Sequence, residues 1–216
     1  MRKTSYVLTF FVVVITLLLN VFSINRPDWL VVQTPEILHT KVTITYGLSE
    51  RCERQVTRIP GNDHSKFEYS DYQCRSFPKK VTDGCEEDNA VFCAAWTSAR
   101  YFVELAAWCA AASLCAIAFG VSTHSRRRRI WRVAAGLILL QAAFQIATFG
   151  VITDLYSKSQ FPAFETARLG PGYIFNILSW IFGILNGIAV ITTGISADQG
   201  HKWAAGNRAY KRIPNV

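Results

Sequence analysis

Apolar residues are concentrated in four long stretches that contain almost no charge. Three of the stretches have no charged residue, and the second has only Glu104. A transmembrane helix needs about 20 apolar residues, and each stretch is too long for an ordinary buried helix. The pattern therefore predicts four transmembrane helices, at residues 4–25, 101–123, 133–153 and 173–194.

A different pattern lies between the first two stretches. Residues 41–46 alternate between polar and apolar and contain β-branched side chains, which predicts a β-strand. Residues 50–59 are a second candidate, and residues 69–77 and the region near Phe92 could complete a small antiparallel sheet. Residues 61–66 are polar and predict a turn, whereas the acidic segment 83–88 is expected to be solvated.

Composition narrows the class of protein. The chain has 216 residues, of which 50% are hydrophobic and only 18% are charged, whereas a soluble domain carries about 25% charge. This low charge excludes a disordered protein and a typical soluble enzyme.

The first stretch could instead be a cleaved signal peptide, with Arg2 and Lys3 before it and Ser23 near its end. Its apolar length exceeds that of a typical signal peptide, which favours retention.

The distribution of charge predicts the topology. Segments 1–3, 124–132 and 195–216 together hold eleven basic residues and one acidic residue. Because positive charge stays on the cytoplasmic side, both termini and the basic loop 124–132 are expected to be cytoplasmic. The long first loop, residues 26–100, and the second loop, residues 154–172, are then extracellular.

The arginine cluster between the second and third stretches has two possible roles besides orientation. Arginine runs can bind nucleic acid, but a position between two membrane spans argues against that function here. Contact with anionic lipids of the inner leaflet is the expected partner interaction. The tail, with Trp203 and Tyr210 among its basic residues, is expected on the same leaflet. The arginines are Arg126, Arg127, Arg128, Arg129 and Arg132.

Four of the six cysteines fall in the first loop. In an oxidising compartment they are expected to form disulfides, and four cysteines allow three connectivities. Sequence order alone favours pairing Cys52 with Cys74 and Cys85 with Cys93. The spacings lack the close pairs that metal sites and thiol oxidoreductases use, so no metal or cofactor is predicted. Cys109 and Cys115, inside the second stretch, are expected to be apolar fillers.

Polar and small residues within the predicted spans are the remaining candidates for chemistry. Glu104 is an intramembrane acid and so a possible ion or ligand site, but Arg100 lies four residues before it and favours a structural pair. Gln141 and Gln145 share one helix face and are expected to bond between helices. Gly183 and Gly187 permit close helix approach, either within the chain or between copies.

A set of residues in and beside the first loop resembles the claudin signature. Pro27 and Trp29 open the loop directly after the first span. Gly47, Leu48 and Cys52 follow at the expected distance, and a second cysteine and a final arginine are present as Cys74 and Arg100. Ser49 replaces a motif tryptophan, and the two further loop cysteines are additional. The chain resembles a divergent, fungal SUR7-like or claudin-like member of the claudin and peripheral-myelin-protein superfamily.

The resemblance implies both a fold and a function. The fold is a four-helix transmembrane bundle with a small disulfide-bonded β-sheet in the first extracellular loop. Cys52–Cys74 would clamp the sheet, and Trp29 would anchor it near the membrane interface or serve as an ordinary interfacial aromatic. The function implied is that of a plasma-membrane domain organiser or adhesion protein that forms lateral homo-oligomers or contacts other membrane proteins. A permeability factor or channel-associated subunit is the alternative, and enzymatic activity is not expected.

Overall fold

A computed structural model describes residues 3–34, 40–60, 66–86, 88–122, 124–159 and 161–205. Four long helices dominate it, and each is long and apolar enough to cross a membrane. The fold is therefore that expected of an integral membrane protein, as the hydrophobic pattern predicts. The helices are α1 (Lys3–Asn25), α2 (Ala90–Ser122), α3 (His124–Ser157), α4 (Pro171–Asp198) and a short α5 (Lys202–Ala205).

Two helices begin well before the spans predicted from hydropathy. α2 starts at Ala90 rather than at residue 101, so Phe92 lies in a helix and not in the predicted strand. α3 starts at His124, so the expected loop 124–132 is helical. Arginine is a good helix former, and a helix can extend past the apolar residues that cross the bilayer. Hydropathy marks the apolar segment of a helix and does not mark its ends.

The first loop forms most of an antiparallel sheet of five strands. The strands predicted at 41–46, 50–59 and 69–77 are confirmed, and two short strands were not predicted, one of them in the second loop. Their spatial order is β4-β3-β2-β1-β5. Of the turn predicted at 61–66, residues 61–65 lie outside the described residues, and Lys66 is the first residue of β4. The strands are β1 (Leu30–Gln33), β2 (Thr40–Tyr46), β3 (Glu50–Pro60), β4 (Lys66–Ser76) and β5 (Ala167–Leu169).

Backbone contacts divide the chain into two compact units. The sheet unit comprises Val21–Glu104 and Ile146–Ile177. Its core includes a set of aromatic rings from β2, α2 and both loops, with neighbouring ring centroids 4.9–6.1 Å apart. Such ring pairs add stability beyond the apolar area that they bury. We call these rings the aromatic cluster: Tyr46, Phe77, Phe92, Trp96, Phe161 and Phe164.

The helical unit comprises Met1–Asn20, Leu105–Gln145 and Leu178–Val216. Parts of all four long helices meet in its core. Tyr6 and Val13 come from α1, Ile117 from α2, Ile138 from α3 and Val190 from α4, and every one of these side chains is buried. This unit is thus a four-helix bundle, in agreement with the predicted architecture.

Candidate functional site

Trp29 lies at the junction between the end of α1 and the start of β1. Its side chain is completely buried, and its indole Nε1–H donates a hydrogen bond to the carbonyl oxygen of Ser23 over 2.7 Å. Its ring meets that of Tyr173 edge-on, at 6.3 Å between centroids. The Ser23 hydroxyl in turn donates to the carbonyl of Gly172 over 2.8 Å. Trp29 therefore connects α1, β1 and the start of α4, and it is not an exposed interfacial aromatic.

Gly47 lies in the turn between β2 and β3, and its backbone packs against Pro27, two residues before Trp29. A Cβ atom added at Gly47 would lie 2.8 Å from the Cα of Pro27, so only glycine fits this close backbone approach. Leu48, next in the turn, is 1% exposed. The indole of Trp96 donates to the Gly47 carbonyl over 3.3 Å. Pro27, Trp29, Gly47 and Leu48 thus belong to one structural junction at the start of β1 and the turn after β2.

Both predicted disulfides are present. Cys52 and Cys74 are directly opposite each other on β3 and β4, with their Cα atoms 4.0 Å apart. Cys85 and Cys93 join the segment after β4 to the first turn of α2. Glu50 places a carboxylate oxygen near the first pair, but sulfur atoms joined to each other cannot act as thiolate ligands for a metal. Cys109 and Cys115 are free.

Arg75 and Asp83 form an ion pair that no pattern in the sequence predicts. The Asp83 side chain is 1% exposed and accepts hydrogen bonds from the two terminal guanidinium nitrogens of Arg75, at 2.8 and 2.6 Å. It also accepts one from the backbone N–H of Lys79 over 2.7 Å. The expectation that residues 83–88 are simply solvated is therefore wrong for Asp83, because this carboxylate is satisfied inside the fold.

Burial and hydrogen bonding act in opposite directions on this pair. Burial alone would raise the pKa of Asp83, but the hydrogen bonds from Arg75 and Lys79 outweigh it, and the pKa lies below its ordinary value. The same hydrogen bond raises the pKa of Arg75. The pair therefore remains charged at neutral pH and holds the segment after β4 against the sheet.

Arg100 and Glu104 form the predicted i,i+4 pair on α2. The Arg100 Nε donates to a carboxylate oxygen of Glu104 over 2.8 Å. Both side chains remain partly exposed, at 45% and 35%. This geometry favours the structural interpretation of Glu104 over an ion or ligand site, and it gives Arg100 a partner on its own helix.

Gln145 joins three helices through a chain of hydrogen bonds inside the helical unit. Its side-chain Nε2 donates to the hydroxyl of Ser179 on α4 over 2.9 Å. That hydroxyl donates to the carbonyl of Thr16 on α1 over 3.0 Å. Gln141, one turn earlier, is also completely buried, and neither of its amide atoms has a hydrogen-bond partner among the described residues. The predicted interhelical role is thus confirmed for Gln145 only.

Gly183 and Gly187 face α3 within the same chain. A Cβ atom at Gly183 would lie 3.2 Å from the Cβ of Ala142, and one at Gly187 would lie 2.5 Å from a methyl group of Leu139. The glycines therefore permit close packing of α4 on α3. Of the two roles that the sequence leaves open, packing within the chain is the one that the structure supports.

The basic residues proposed to contact lipid are described only in part. Arg132 is exposed, and its guanidinium lies 3.7 Å from a carboxylate oxygen of Asp198 on α4. Trp203 on α5 is 56% exposed. The side chains of Arg126 to Arg129, and Tyr210 altogether, lie outside the described residues. The lipid contact stays a prediction.

No model of a known protein family matches this sequence, and no curated protein matches it. The resemblance to claudins therefore rests on the motif residues themselves. What the geometry offers is a scaffold: a sheet unit cross-linked by two disulfides and an aromatic cluster, and a helical unit with glycine contacts and buried amides.

Proposed function

We propose that this chain is a claudin-like tetraspan that works by contact, as an organiser or adhesion protein of plasma-membrane domains. One observation carries the proposal. Most residues of the claudin-like signature have structural roles in the sheet unit: Trp29 is buried, Gly47 lies against Pro27, and Cys52 is bonded to Cys74 on the neighbouring strand, whereas Arg100 pairs with Glu104 on its own helix. A rigid sheet held in this way is suited to presenting a surface to other proteins.

The proposed orientation has the first loop outside and both termini in the cytoplasm. It rests on the charge count of the connecting segments. Two single substitutions create matched glycosylation acceptors, His64→Thr after Asn62 in the first loop and Ala209→Thr after Asn207 in the tail. Expressed in microsomes, the first variant should be glycosylated and the second should not. The reverse pattern would refute the orientation.

The organiser function is tested in cells with the tagged full-length chain. We expect stable surface patches whose fluorescence recovers slowly after bleaching. Gly47→Val, which forces a side chain against Pro27, should abolish the patches. Gly136→Val is the matched control, because a Cβ atom at Gly136 meets nothing within 4 Å. If the wild-type protein diffuses freely and its deletion changes the ion current across the membrane, the permeability function is supported instead.

A further inference from the structure

Completely buried side-chain amides lie on one side of the apolar core of the helical unit. Asn20 of α1 and Gln141 and Gln145 of α3 have no exposed surface, and neither has Ser179 of α4, which Gln145 contacts. The residues of the apolar core precede these amides along α1 and α3 and follow Ser179 along α4. They are Tyr6, Val13, Ile117, Ile138 and Val190. The amides therefore occupy a different level of the bundle from the apolar core.

The three amides are within about one helical turn of a common level. Gln145 donates to the Ser179 hydroxyl, which donates to the carbonyl of Thr16, so these three residues are level with one another. Asn20 lies four residues after Thr16 on α1, and Gln141 lies four residues before Gln145 on α3. At about 1.5 Å per residue, each is displaced by about 6 Å along its helix. Because residues four apart share a helix face, both amides are directed into the same buried interior.

Five amide atoms of this group have no hydrogen-bond partner among the described residues: both of Asn20, both of Gln141, and Oε1 of Gln145. The orientation of the Gln145 amide is fixed by its neighbour. Since the Ser179 hydroxyl gives its proton to Thr16, it can only accept from Gln145, which must present Nε2 to it. Oε1 therefore remains an acceptor in the interior. Unpaired amide atoms are costly here, because a membrane span has no bulk water to bind them.

The balance of donors and acceptors indicates the kind of ligand. Asn20 and Gln141 bring two donor nitrogens, and together with Gln145 they bring three acceptor oxygens. A cation would bind the oxygens and leave both nitrogens unpaired, and an anion would do the reverse. Water both donates and accepts, and an internal water molecule makes about three hydrogen bonds, so about two molecules can satisfy the five atoms. The acyl chain of a lipid satisfies none of them.

The side chains that α2 brings to this part of the interior are small. Between Leu105 and the apolar core, its buried residues are Ala106, Ala110 and Ser113. The Ser113 hydroxyl donates to the Ala110 carbonyl of its own helix over 2.8 Å, so it does not serve the amides. Alanine and serine fill little volume, which leaves room for water beside the larger amide side chains.

We infer that the helical unit binds internal water through the carboxamides of Asn20, Gln141 and Gln145. The apolar core bounds this water site on the side toward the start of α1. The site is independent of the proposed function, because it involves the helical unit alone and none of the residues of the claudin-like signature. Water held in this way gives each of the unpaired amide atoms a partner inside the span.

Water-edited solid-state NMR detects the water directly. The full-length, isotope-labelled chain is reconstituted in lipid vesicles, and polarisation is transferred from water to the protein during a short mixing time. We expect transfer to the side-chain amides of Gln141 and Asn20, whose signals are identified by their loss in Gln141→Leu and Asn20→Leu. The methyl groups of Val13 and Ile138 in the apolar core are the internal control and should receive no polarisation.

The stability of Gln141→Leu shows whether the water supports the fold. Leucine is close to glutamine in size but binds no water, so in a hydrated interior the variant loses water-mediated hydrogen bonds. The unfolding equilibrium constant in bicelles should then rise about twofold to tenfold, the range for one typical hydrogen bond. In a dry interior the variant removes an unpaired amide, and the constant should fall about fivefold or more. Ser113→Ala is the matched control and should leave the constant nearly unchanged, because its hydroxyl is bonded within α2.

The two measurements together decide between water and its alternatives. Transfer from water to Gln141, combined with destabilisation by Gln141→Leu, is the expected result. Absence of transfer in the wild type overturns the inference, whatever the stability of the variant. Transfer combined with a more stable Gln141→Leu also overturns it, because the amide would then not be holding the water. Spectra in sodium, potassium and choline chloride complete the test: amide signals of Asn20 and Gln141 that shift with the cation would show that the ligand is an ion and not water.

Discussion

Asp83→Asn isolates the energetic contribution of the ion pair that holds the segment after β4. The carboxylate accepts two hydrogen bonds from Arg75 and one from the Lys79 backbone, and an asparagine can offer only one oxygen to these donors. Hydrogen bonds to charged groups contribute about 1.5–3 kcal/mol each, and breaking a fully buried pair costs about 3–5 kcal/mol. Because Arg75 is 29% exposed and can be rehydrated, we expect a loss of about 2–3 kcal/mol.

Hydrogen–deuterium exchange in lipid nanodiscs measures this loss locally. The reporters are the amide of Lys79, which donates to Asp83, and that of Cys85, which donates to the Lys80 carbonyl over 3.0 Å. A loss of about 2–3 kcal/mol should accelerate their exchange about 30- to 150-fold. Asp88→Asn is the matched control, because Asp88 is an exposed acid in the same segment.

The pair also predicts a pH dependence. The pKa of Asp83 is lowered in the folded state, so its contribution is complete above the unfolded value of about 3.9. It is lost as the pH falls through the folded pKa. Protection of the two amides, corrected for intrinsic rates, should be constant from neutral pH to about 5 and should decline below about 4. Equal exchange in Asp83→Asn and Asp88→Asn would refute the assignment.

Three further substitutions test the other contacts. Cys52→Ser should destabilise the sheet unit by about 2–5 kcal/mol and cause retention in the secretory pathway, whereas Cys109→Ser should be tolerated. Trp29→Phe should cost about 1–2 kcal/mol, because the buried Ser23 carbonyl loses its donor. Gly187→Leu should cost about 1–3 kcal/mol by overpacking and lower the yield of folded protein, while the size of any clusters stays unchanged.

Control variants and a thiol measurement test these three predictions. Trp203→Phe changes an exposed tryptophan and Gly136→Leu fills open space, so both should leave thermal stability unchanged. Four free thiols in the first loop on non-reducing mass spectrometry would contradict the disulfides. A Gly187→Leu protein with normal yield but dispersed clusters would mean that α4 assembles through its glycine face after all.

The sequence predicts those elements whose signal is local. The strand at 41–46 shows its period of two directly, and the four apolar stretches are each long enough to identify a helix. β5 has only three residues, Ala167–Leu169, and its sequence shows no alternation. It forms a strand because it pairs with a free edge of β1. Phe92 is predicted in a strand but lies in α2, because nothing in the sequence before residue 101 marks the start of that helix.

The candidate site is harder to predict, because its contacts depend on the path that the chain takes between the residues that meet. The spacing of Gly183 and Gly187 shows that they share a helix face, but it does not reveal that α3 covers that face. Arg75 and Asp83 are close in sequence, yet the path of the intervening segment brings them together and no periodic pattern encodes it. The hydrogen bonds of Ser179 join α1, α3 and α4, which are far apart in the sequence.

The position of β5 has a consequence for how the chain is made. The sheet is completed by residues 167–169, which pair with β1 at residues 30–32. During translation β1 is therefore produced long before its second partner, and one of its edges stays unpaired while α2 and α3 are synthesised. A ribosome that stops before β5 leaves an incomplete sheet with an open edge.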